Sequence, residues 1–361
     1  MGKAAIKGLF YSCLIAATFI LAAITAIAGF SGNVSPTDSV IMPLLGLAVP
    51  VLLVCNLIAS LCWGMARKWW ALIPLAAFFC NWNYLTSVIQ FHSPKEKTPS
   101  DRYLKIATYN VHNFGDEITG YSCKEMARYM QQEHVDILCL QEFGNNRYFT
   151  ADSIRKALSH WPHVLTLQED SLRKVLPIAV FSRYPLIHER FITYPQSANC
   201  SILCDIVAGT DTVRLLNSHL QTTSVSQKRG KWQREMASDD ARREIRAAKD
   251  AAETLHGNFV KRTLQTYTVG YFAKNSPYPV IVCGDFNSLP SSYTYQYFSG
   301  FLKDGFRTAG NGYMYTYRYG KKMLRIDYIF HSNELEGMSY YSPTQEFCSD
   351  HNPVIMEMKI R

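Results

Sequence analysis

Three long uncharged stretches near the N-terminus constrain the fold of this chain more than any other feature. They cover residues 8–30, 40–66 and 69–91. A helix needs about 20 apolar residues to cross the hydrocarbon of a bilayer, so each stretch is long enough to span it. The chain has 37 basic and 29 acidic residues, yet only five of these lie in residues 1–91. We therefore predict a membrane anchor of three transmembrane helices over residues 1–91, followed by a globular part.

A cleaved signal peptide is the alternative interpretation of the first stretch, because residues 26–28 (Ala-Ile-Ala) resemble a cleavage site. We favour an uncleaved span, since its 23 uncharged residues exceed the apolar core of about 7–15 residues in a signal peptide. The third stretch is the least regular, because Pro74, Asn81 and Asn83 interrupt it. An acid or base inside a span marks a transport path, and these stretches contain neither, which favours a plain anchor.

Basic residues set the predicted orientation of the anchor. Lys3 and Lys7 precede the first stretch, Arg67 and Lys68 lie between the second and third, and the loop at residues 31–39 has no basic residue. Because short cytoplasmic loops are enriched in Lys and Arg, we expect the N-terminus and the Arg67 turn in the cytoplasm. Three spans then place the globular part outside it, on the periplasmic side of an inner membrane. If the third stretch only lies on the membrane, that part is cytoplasmic.

The remainder of the chain has the pattern of one large α/β domain. Residues 92–103 are a predicted polar linker, and residues 104–361 alternate apolar β-rich runs with helical stretches. The predicted strands cover residues 105–109, 137–140, 178–182, 214–217, 280–283, 325–330 and 354–358. The predicted helices cover residues 123–133 and 152–158.

A charged insert at residues 221–262 differs in composition from the rest of this domain. It contains ten basic and six acidic residues. Its Ala-rich part, residues 240–255, is predicted to be helical. The simplest interpretation is a solvated charged helix. The functional alternative is a basic lip that attracts an anionic substrate or anionic lipid.

Polar side chains stand at or beside the ends of the predicted strands. Carboxylates, amides and imidazoles in such positions converge in the loops at a sheet's edge and form a polar pocket. Carboxylates and amides without thiolates favour a hard cation such as Mg²⁺ or Mn²⁺. Histidines beside aspartates supply an acid and a base, which suits metal-assisted attack of water on a phosphate ester. The residues are Asn110, Glu142, His219, Asp285, Asn287, Asp327, Asp350 and His351.

Each of these residues alone would more often be a turn or surface residue, but their order along the chain is specific. The motifs NV, QE, HL, GDFN, IDY and SDH follow one another between residues 110 and 351. In this order the domain resembles the endonuclease/exonuclease/phosphatase superfamily, over about residues 104–361. That group includes deoxyribonucleases, neutral sphingomyelinases and inositol polyphosphate 5-phosphatases. The resemblance implies a four-layer α/β sandwich with two central mixed sheets, and Mg²⁺-dependent phosphoesterase chemistry.

The resemblance also implies the metal ligands of the site. Glu142 would be the principal ligand with Asn110 beside it, and Asp350 would support this metal or a second one. His112 lies where some relatives carry an acidic residue, so the resemblance gives it no firm metal role.

The same resemblance implies the catalytic groups. His351, held by Asp327, would take the proton of the water or orient the phosphate. Asp285 would position or deprotonate the nucleophile, or protonate the leaving oxygen. Asn287 would hydrogen-bond the phosphoryl oxygens, and His219 would donate to a phosphate oxygen or to the leaving group. Further candidates for contact with the substrate phosphate are Arg183, Arg262 and Arg325.

The sequence therefore predicts a membrane-anchored, Mg²⁺- or Mn²⁺-dependent phosphoesterase that hydrolyses a phosphodiester. The substrate class stays open between nucleic acid and the headgroup of a phospholipid or sphingolipid. The alternatives are a phosphomonoesterase of the inositol-phosphatase type and a non-catalytic binding domain on the same fold. The predicted partners are the phosphoester substrate and the lipid around the anchor, and no protein partner is predicted.

Overall fold

The computed structural model describes residues 3–117, 119–144, 148–167, 175–223, 241–319, 321–345 and 347–361. Much of the predicted charged insert, residues 224–240, therefore lies outside the described residues. The following part of the insert begins a long helix, as its Ala-rich composition predicts.

The N-terminal part is a bundle of apolar helices, and two of them are long and apolar enough to cross a membrane. These two helices are α1 (Lys3–Ala28) and α2 (Ile41–Met65). The third apolar stretch forms the shorter helices α3 (Leu72–Cys80) and α4 (Trp82–Val88), and α3 packs against both long helices.

The predicted third span differs from the structure in its continuity. The helix breaks at Asn81, whose buried side-chain amide donates to the carbonyl oxygens of Thr25 (3.2 Å) and Ala77 (3.1 Å). The last three residues of the stretch leave the bundle as strand β1 (Ile89–Phe91), which pairs with β11 (Asn311–Tyr313). The third stretch is therefore not one straight spanning helix of residues 69–91.

Within the residues that the structure describes, the globular domain contains two six-stranded mixed sheets. The first has the strand order β13-β14-β2-β3-β5-β4, and only β2 and β3 are parallel. Its strands are β2 (Arg102–Asn110), β3 (Ile137–Gln141), β4 (His163–Leu167), β5 (Ile178–Ser182), β13 (Leu335–Tyr341) and β14 (Val354–Ile360).

The second sheet has the strand order β10-β12-β9-β8-β7-β6, and only β8 and β9 are parallel. Its strands are β6 (Leu186–Thr193), β7 (Cys200–Ala208), β8 (Asp211–His219), β9 (Val280–Asp285), β10 (Lys303–Asp304) and β12 (Asp327–His331).

The two sheets pack face to face through a shared apolar core, and helices cover both outer faces. Residues such as Ile137 of β3 and Ile281 of β9 are fully buried in that central core. Two further apolar clusters fill the spaces between each sheet and its helices. The predicted four-layer α/β sandwich is confirmed. The helices are α5 (Tyr121–Gln132), α6 (Ala151–Ala157), α7 (Ala241–Lys274), α8 (Tyr293–Ser299) and the short α9 (Gly305–Ala309).

The segment predicted as a linker, residues 92–103, is held against the domain along its length. The His92 Nδ1 atom lies 2.7 Å from the carbonyl oxygen of Gly310, and Lys95 donates to the carbonyl oxygen of Gly337 over 2.7 Å. Strand β2 then begins at Arg102, two residues before the predicted start of the domain. The globular domain therefore follows the bundle through a segment with fixed contacts.

Candidate active site

Strand register brings the predicted site residues to one edge of the sandwich. Asn110 is paired with Gln141 at the ends of the parallel strands β2 and β3. In the other sheet His219 is paired with Asp285 at the ends of β8 and β9, and Asp327 at the start of β12 faces Asp285. Since the carboxyl ends of parallel strands meet at the same edge, both sheets deliver their polar ends to one place.

Glu142 is the main acidic residue that the first sheet contributes to the site. It follows β3 with a φ of 51°, a left-handed conformation that a non-glycine residue seldom adopts. Its Oε2 atom lies 3.3 Å from Nδ1 of His112, and its Oε1 atom lies 3.7 Å from Nε2 of His219. Burial alone would raise the pKa of Glu142, but the hydrogen bond with His112 and the charge of His219 lower it to about 2. Glu142 is therefore a carboxylate throughout the physiological pH range.

Asn110 joins two carboxylates across the two sheets. Its Nδ2 atom donates to Oε1 of Glu142 (3.1 Å) and to Oδ2 of Asp285 (3.0 Å). Its Oδ1 atom accepts the backbone N–H of His112 over 3.0 Å. Asn110 therefore bridges the two acids through its amide nitrogen, and its amide oxygen keeps a second lone pair beyond the one that accepts the backbone N–H.

Asp285 is a buried carboxylate that Asn287 holds in place. Asn287, which has a φ of 49°, donates its backbone N–H to Oδ1 of Asp285 (2.8 Å) and its Nδ2 to Oδ2 (3.1 Å). The side chain of Asn287 also donates to the carbonyl oxygen of Leu220 over 3.0 Å. Burial and the nearby charge of Asp327 raise the pKa of Asp285, although the histidines at 351 and 219 oppose the rise. A carboxylate with a raised pKa is a better proton acceptor near neutral pH.

His351 and Asp327 form a buried hydrogen-bonded pair. The Nδ1 atom of His351 lies 2.9 Å and 3.2 Å from the two carboxylate oxygens of Asp327. Burial alone would lower the pKa of His351, but the charges of Asp327 and Asp285 raise it to about 10. The imidazole is therefore protonated at neutral pH and presents an Nε2–H group to the site.

Two further polar groups complete the cluster. The Nε2 atom of His219 lies 3.6 Å from Oδ2 of Asp285, and the residue is only 1% exposed. The buried Oδ1 atom of Asp350 has no hydrogen-bond partner among the residues that the structure describes, and it lies 3.8 Å from Nε2 of His351. A buried carboxylate oxygen without a partner is costly unless a cation or water satisfies it.

The donor set fits a hard divalent cation. Asp285, Asp327 and His351 lie so close together that one potential ligand atom from each falls within 4.8 Å of the others. The carboxylates are the ligands in this group, since a protonated imidazole has no lone pair to offer a cation. Two further carboxylates lie beside this group: Asp350 Oδ1 is 3.8 Å from Nε2 of His351, and Asn110 joins Glu142 to Asp285. Oxygen-rich sites of this kind suit Mg²⁺ or Mn²⁺ better than the softer transition metals.

Two of the three arginines predicted to contact the substrate phosphate do not reach this cluster. Arg183 pairs with Asp136 over 3.0 Å. Asp136 lies just before β3 and Glu142 just after it, so the two acids are at opposite ends of the strand. Arg325 is fully buried and binds Asp304 through two contacts of 2.6 Å. Each guanidinium pairs instead with a structural carboxylate, and a contact of these two residues with the substrate phosphate stays a prediction.

The third arginine, Arg262, lies beside the site but is engaged with the protein. It donates to the carbonyl oxygen of Gln221 (2.6 Å), to Thr223 Oγ1 (2.6 Å) and to Ser288 Oγ (3.1 Å). Burial lowers the pKa of Arg262 to about 9, and the charge of Asp285 opposes the change. Arg262 therefore helps to hold Ser288, the residue that follows Asn287, in place.

Several buried residues that support the site were not predicted from the sequence. Gln141 donates from Nε2 to Oδ1 of Asn217 over 2.6 Å, and this hydrogen bond joins the two sheets beneath the site. Ser349 donates to the carbonyl oxygen of Asn110 (2.7 Å) and accepts the backbone N–H of His351 (3.0 Å). A signal for Asn217 was present, since it precedes His219 by two positions and so shares its face of β8.

Comparison with known protein families assigns the globular domain. Residues 107–351 match the Endonuclease/Exonuclease/phosphatase family, so the chain belongs to that family. The chain is therefore a phosphoesterase of the hydrolase class, in a family that generally depends on divalent metals. Residues 10–88, which form most of the bundle, match a Domain of unknown function (DUF8431). No curated protein matches the chain at a significant level.

Solved structures agree with the fold. An endonuclease/exonuclease/phosphatase from Beutenbergia cavernae DSM 12333 has a TM-score of 0.50 at 16% identity, over 72% of each chain. A protein of the same family from Bacteroides vulgatus scores 0.49 at 17% identity, over 72% of this chain and 100% of its own. The human Nocturnin catalytic domain with bound sulfate scores 0.48 at 16% identity, over 72% of this chain and 96% of its own. At 16% identity the likeness to the Beutenbergia cavernae protein establishes the fold alone.

Proposed function

We propose that the chain is a membrane-anchored phosphodiesterase that uses Mg²⁺ or Mn²⁺. The observation that carries this proposal is the convergence of eight polar residues from both sheets on one buried cluster. Within it, a carboxylate with a lowered pKa, a carboxylate with a raised pKa and a protonated imidazole lie side by side. These groups differ in charge and in proton affinity, as the steps of phosphoester hydrolysis require.

Glu142 and Asp350 are the proposed carboxylate ligands of the cation, with Asn110 holding Glu142 in place. A cation bound there would polarise a phosphoryl oxygen and lower the pKa of bound water. Asn110 is proposed as a positioning residue, since its amide nitrogen spans Glu142 and Asp285.

Asp285, His351 and His219 are the proposed proton-handling groups. The raised pKa of Asp285 suits it to accept the proton of the attacking water. Protonated His351 donates its Nε2–H to a phosphoryl oxygen, because Asp327 occupies its other nitrogen. His219 donates to the leaving oxygen from the opposite strand. Asn287 holds Asp285, and its proposed contact with phosphoryl oxygens would require one of its two present acceptors to be released.

Membrane lipid is the substrate class that we favour, and one contact supports it. The loop between α1 and α2 packs directly on the loop that follows Asn287, so the site lies close to the end of the bundle. A catalytic domain that is held beside a bilayer meets a raised effective concentration of any phosphodiester lipid in it. The loop at residues 31–39 has no basic residue, whereas four basic residues lie at the other end of the bundle. This asymmetry supports an extracytoplasmic domain.

The proposal is tested with the full-length chain in detergent, assayed on bis-p-nitrophenyl phosphate with Mg²⁺ or Mn²⁺. We expect hydrolysis that a chelator abolishes. The His351→Ala variant should lose at least about 10²-fold in kcat, the contribution of a missing acid or base. His160→Ala, which changes an exposed histidine on the helix side of the first sheet, should keep full activity. A folded chain that hydrolyses no phosphodiester with either cation would contradict the proposal.

The substrate class and the sidedness need separate measurements. Phospholipid vesicles and plasmid DNA are compared side by side, and faster turnover of DNA with steep inhibition by salt would identify a nuclease instead. Reporter fusions after Arg67 and after Arg361 should report opposite sides of the membrane. Fusions that report the same side would contradict the extracytoplasmic domain.

A further inference from the structure

The loop between α1 and α2 forms a buried contact with the catalytic domain. Ser31 Oγ donates to the carbonyl oxygen of Ser291 over 2.8 Å, and Ser291 Oγ donates to the carbonyl oxygen of Gly46 over 2.7 Å. Ser31 and Ser291 are only 2% and 6% exposed. Near this contact, Nε2 of His256 lies 2.8 Å from the carbonyl oxygen of Pro36. The loop therefore packs directly against the catalytic domain.

Two glycines allow the close approach of these surfaces. A Cβ atom added at Gly46 would lie 2.8 Å from Ser31 Oγ and 3.3 Å from the carbonyl oxygen of Ser291. One added at Gly32 would collide with the side chain of Gln296 and lie 3.0 Å from the carbonyl oxygen of Ser292. The contact therefore has no room for an additional methyl group without movement of one surface.

The end of the bundle makes a second contact with the domain. The fully buried Arg325 donates from Nη1 to the carbonyl oxygen of Ser87 over 2.7 Å. The backbone N–H of Met314 donates to the carbonyl oxygen of Val88 over 2.8 Å, and the pairing of β1 with β11 continues this contact. Arg325 stands two residues before Asp327, so this contact lies at the start of β12.

Both contacts reach the same pair of catalytic strands. Ser291 is four residues beyond Asn287, which holds Asp285 at the end of β9. Arg325 precedes Asp327, and Asp327 is paired with Asp285 in the sheet. A bond between Tyr328 Oη and the carbonyl oxygen of Ser288 (2.7 Å) joins the two segments.

We propose that the N-terminal bundle is a positioning element of the active site as well as an anchor. Its two contacts hold the segment after Asn287 and the segment before Asp327, and they thereby fix the distance between Asp285 and the pair formed by Asp327 and His351. This inference rests on the proposed catalytic roles of these residues. It implies that a domain separated from a docked bundle hydrolyses its substrate poorly, even when the substrate is small and soluble.

The test uses Gly46→Ala in the full-length chain, with Gly64→Ala as its control. Both substitutions lie in α2, but a Cβ atom at Gly64 has no atom within 4 Å. Since small displacements of catalytic groups cost up to about 10²-fold in rate, we expect Gly46→Ala to lower kcat on bis-p-nitrophenyl phosphate by about 10- to 100-fold. KM should change little, and Gly64→Ala should match the unsubstituted chain.

Hydrogen exchange distinguishes local undocking from general destabilisation. In Gly46→Ala, amides of residues 286–292 should exchange faster while those of the core strands β3 and β14 keep their protection. Ser291→Ala tests the same contact from the domain, because it removes the donor to Gly46 without adding an atom to the bundle. It should lower kcat in the same direction, together with faster exchange in the same segment.

Three results would overturn the inference. The first is full kcat in both variants despite faster exchange at residues 286–292, and the second is unchanged exchange there in both variants. The third is faster exchange throughout the core strands, which would make the lost rate a consequence of general unfolding. An unsubstituted chain without activity contradicts the proposed function itself, whereas full activity in both variants contradicts only the positioning role.

Discussion

Asp327→Asn removes one charge from the centre of the site while it preserves the shape of the side chain. In the native chain the Asp327 carboxylate accepts a hydrogen bond from Nδ1 of His351 at 2.9 Å, and both residues are nearly fully buried. The substitution leaves the histidine without its main counter-charge. We therefore expect the pKa of His351 to fall and its donation to a phosphoryl oxygen to weaken.

The structure gives the size of the effect on stability. The pKa of His351 rises from 6.5 to about 10 in the folded protein. At about 1.4 kcal/mol for each pKa unit, this rise is equivalent to about 5 kcal/mol, to which Asp327 and Asp285 both contribute. Breaking a buried ion pair by removing one charge costs about 3–5 kcal/mol. We expect Asp327→Asn to lower the free energy of unfolding by about 3 kcal/mol near pH 6.

The effect has a definite dependence on pH. Because the pKa of His351 is higher in the folded state, its stabilising contribution is complete below about pH 6.5 and is lost as the pH rises to about 10. The difference in stability between the native chain and Asp327→Asn should therefore shrink between pH 6.5 and pH 10. If His351 stayed neutral over this pH range, the difference in stability between the native chain and Asp327→Asn would not shrink.

The assay is thermal unfolding in detergent with a chelator present, at several pH values, together with kcat measured with Mg²⁺. Asp327→Asn should lose at least about 10²-fold in kcat. Asp211→Asn is the control, since Asp211 is a more exposed acid that pairs with Arg102. A stability difference that stays constant from pH 6 to pH 10, or a variant with native kcat, would refute the reasoning.

Three further predictions follow from the described contacts. Glu142→Gln should lower kcat by at least about 10²-fold and raise the Mg²⁺ concentration needed for half-maximal activity, measured by metal titration. Asp304→Asn leaves Arg325 buried without its counter-charge and should lower the free energy of unfolding by about 3–5 kcal/mol, with native stability contradicting this account. Arg183→Ala should keep native kcat and cost at most about 1 kcal/mol in the same unfolding measurement, because its pair with Asp136 is partly exposed and distant from Glu142.

Most of the central strands were predictable from sequence because both of their faces are buried, although the almost equally buried β7 was not predicted. The residues of β5 and β9 are buried along their whole lengths, and this condition selects the continuous apolar runs from which they were predicted. Strand β6 was not predicted, since most of its residues are exposed and its sequence lacks such a run. Strand β13 was also missed, because its Gly and Ser residues interrupt the pattern and its register shifts at Gly337.

The sequence by itself determined the class of chemistry and the residues that converge. Apolar strands that end in Asn110, Glu142 and Asp285 fix which groups reach the sheet edge, because strand direction places each terminal side chain in the adjoining loop. The sequence also determined two apolar stretches long enough to span a membrane, because their length and hydropathy do not depend on how the domain folds.

Only the tertiary structure decided how these groups act and what the remaining residues do. The pKa of a carboxylate or imidazole depends on neighbours distant in sequence, as His351 shows through Asp327 and Asp285. Arg325 likewise pairs with Asp304, a neighbour in space that lies 21 positions away in sequence. The contact between Ser31 and Ser291 joins residues that are 260 positions apart, and no local pattern encodes it. Distance in space, which sequence spacing does not report, sets these interactions.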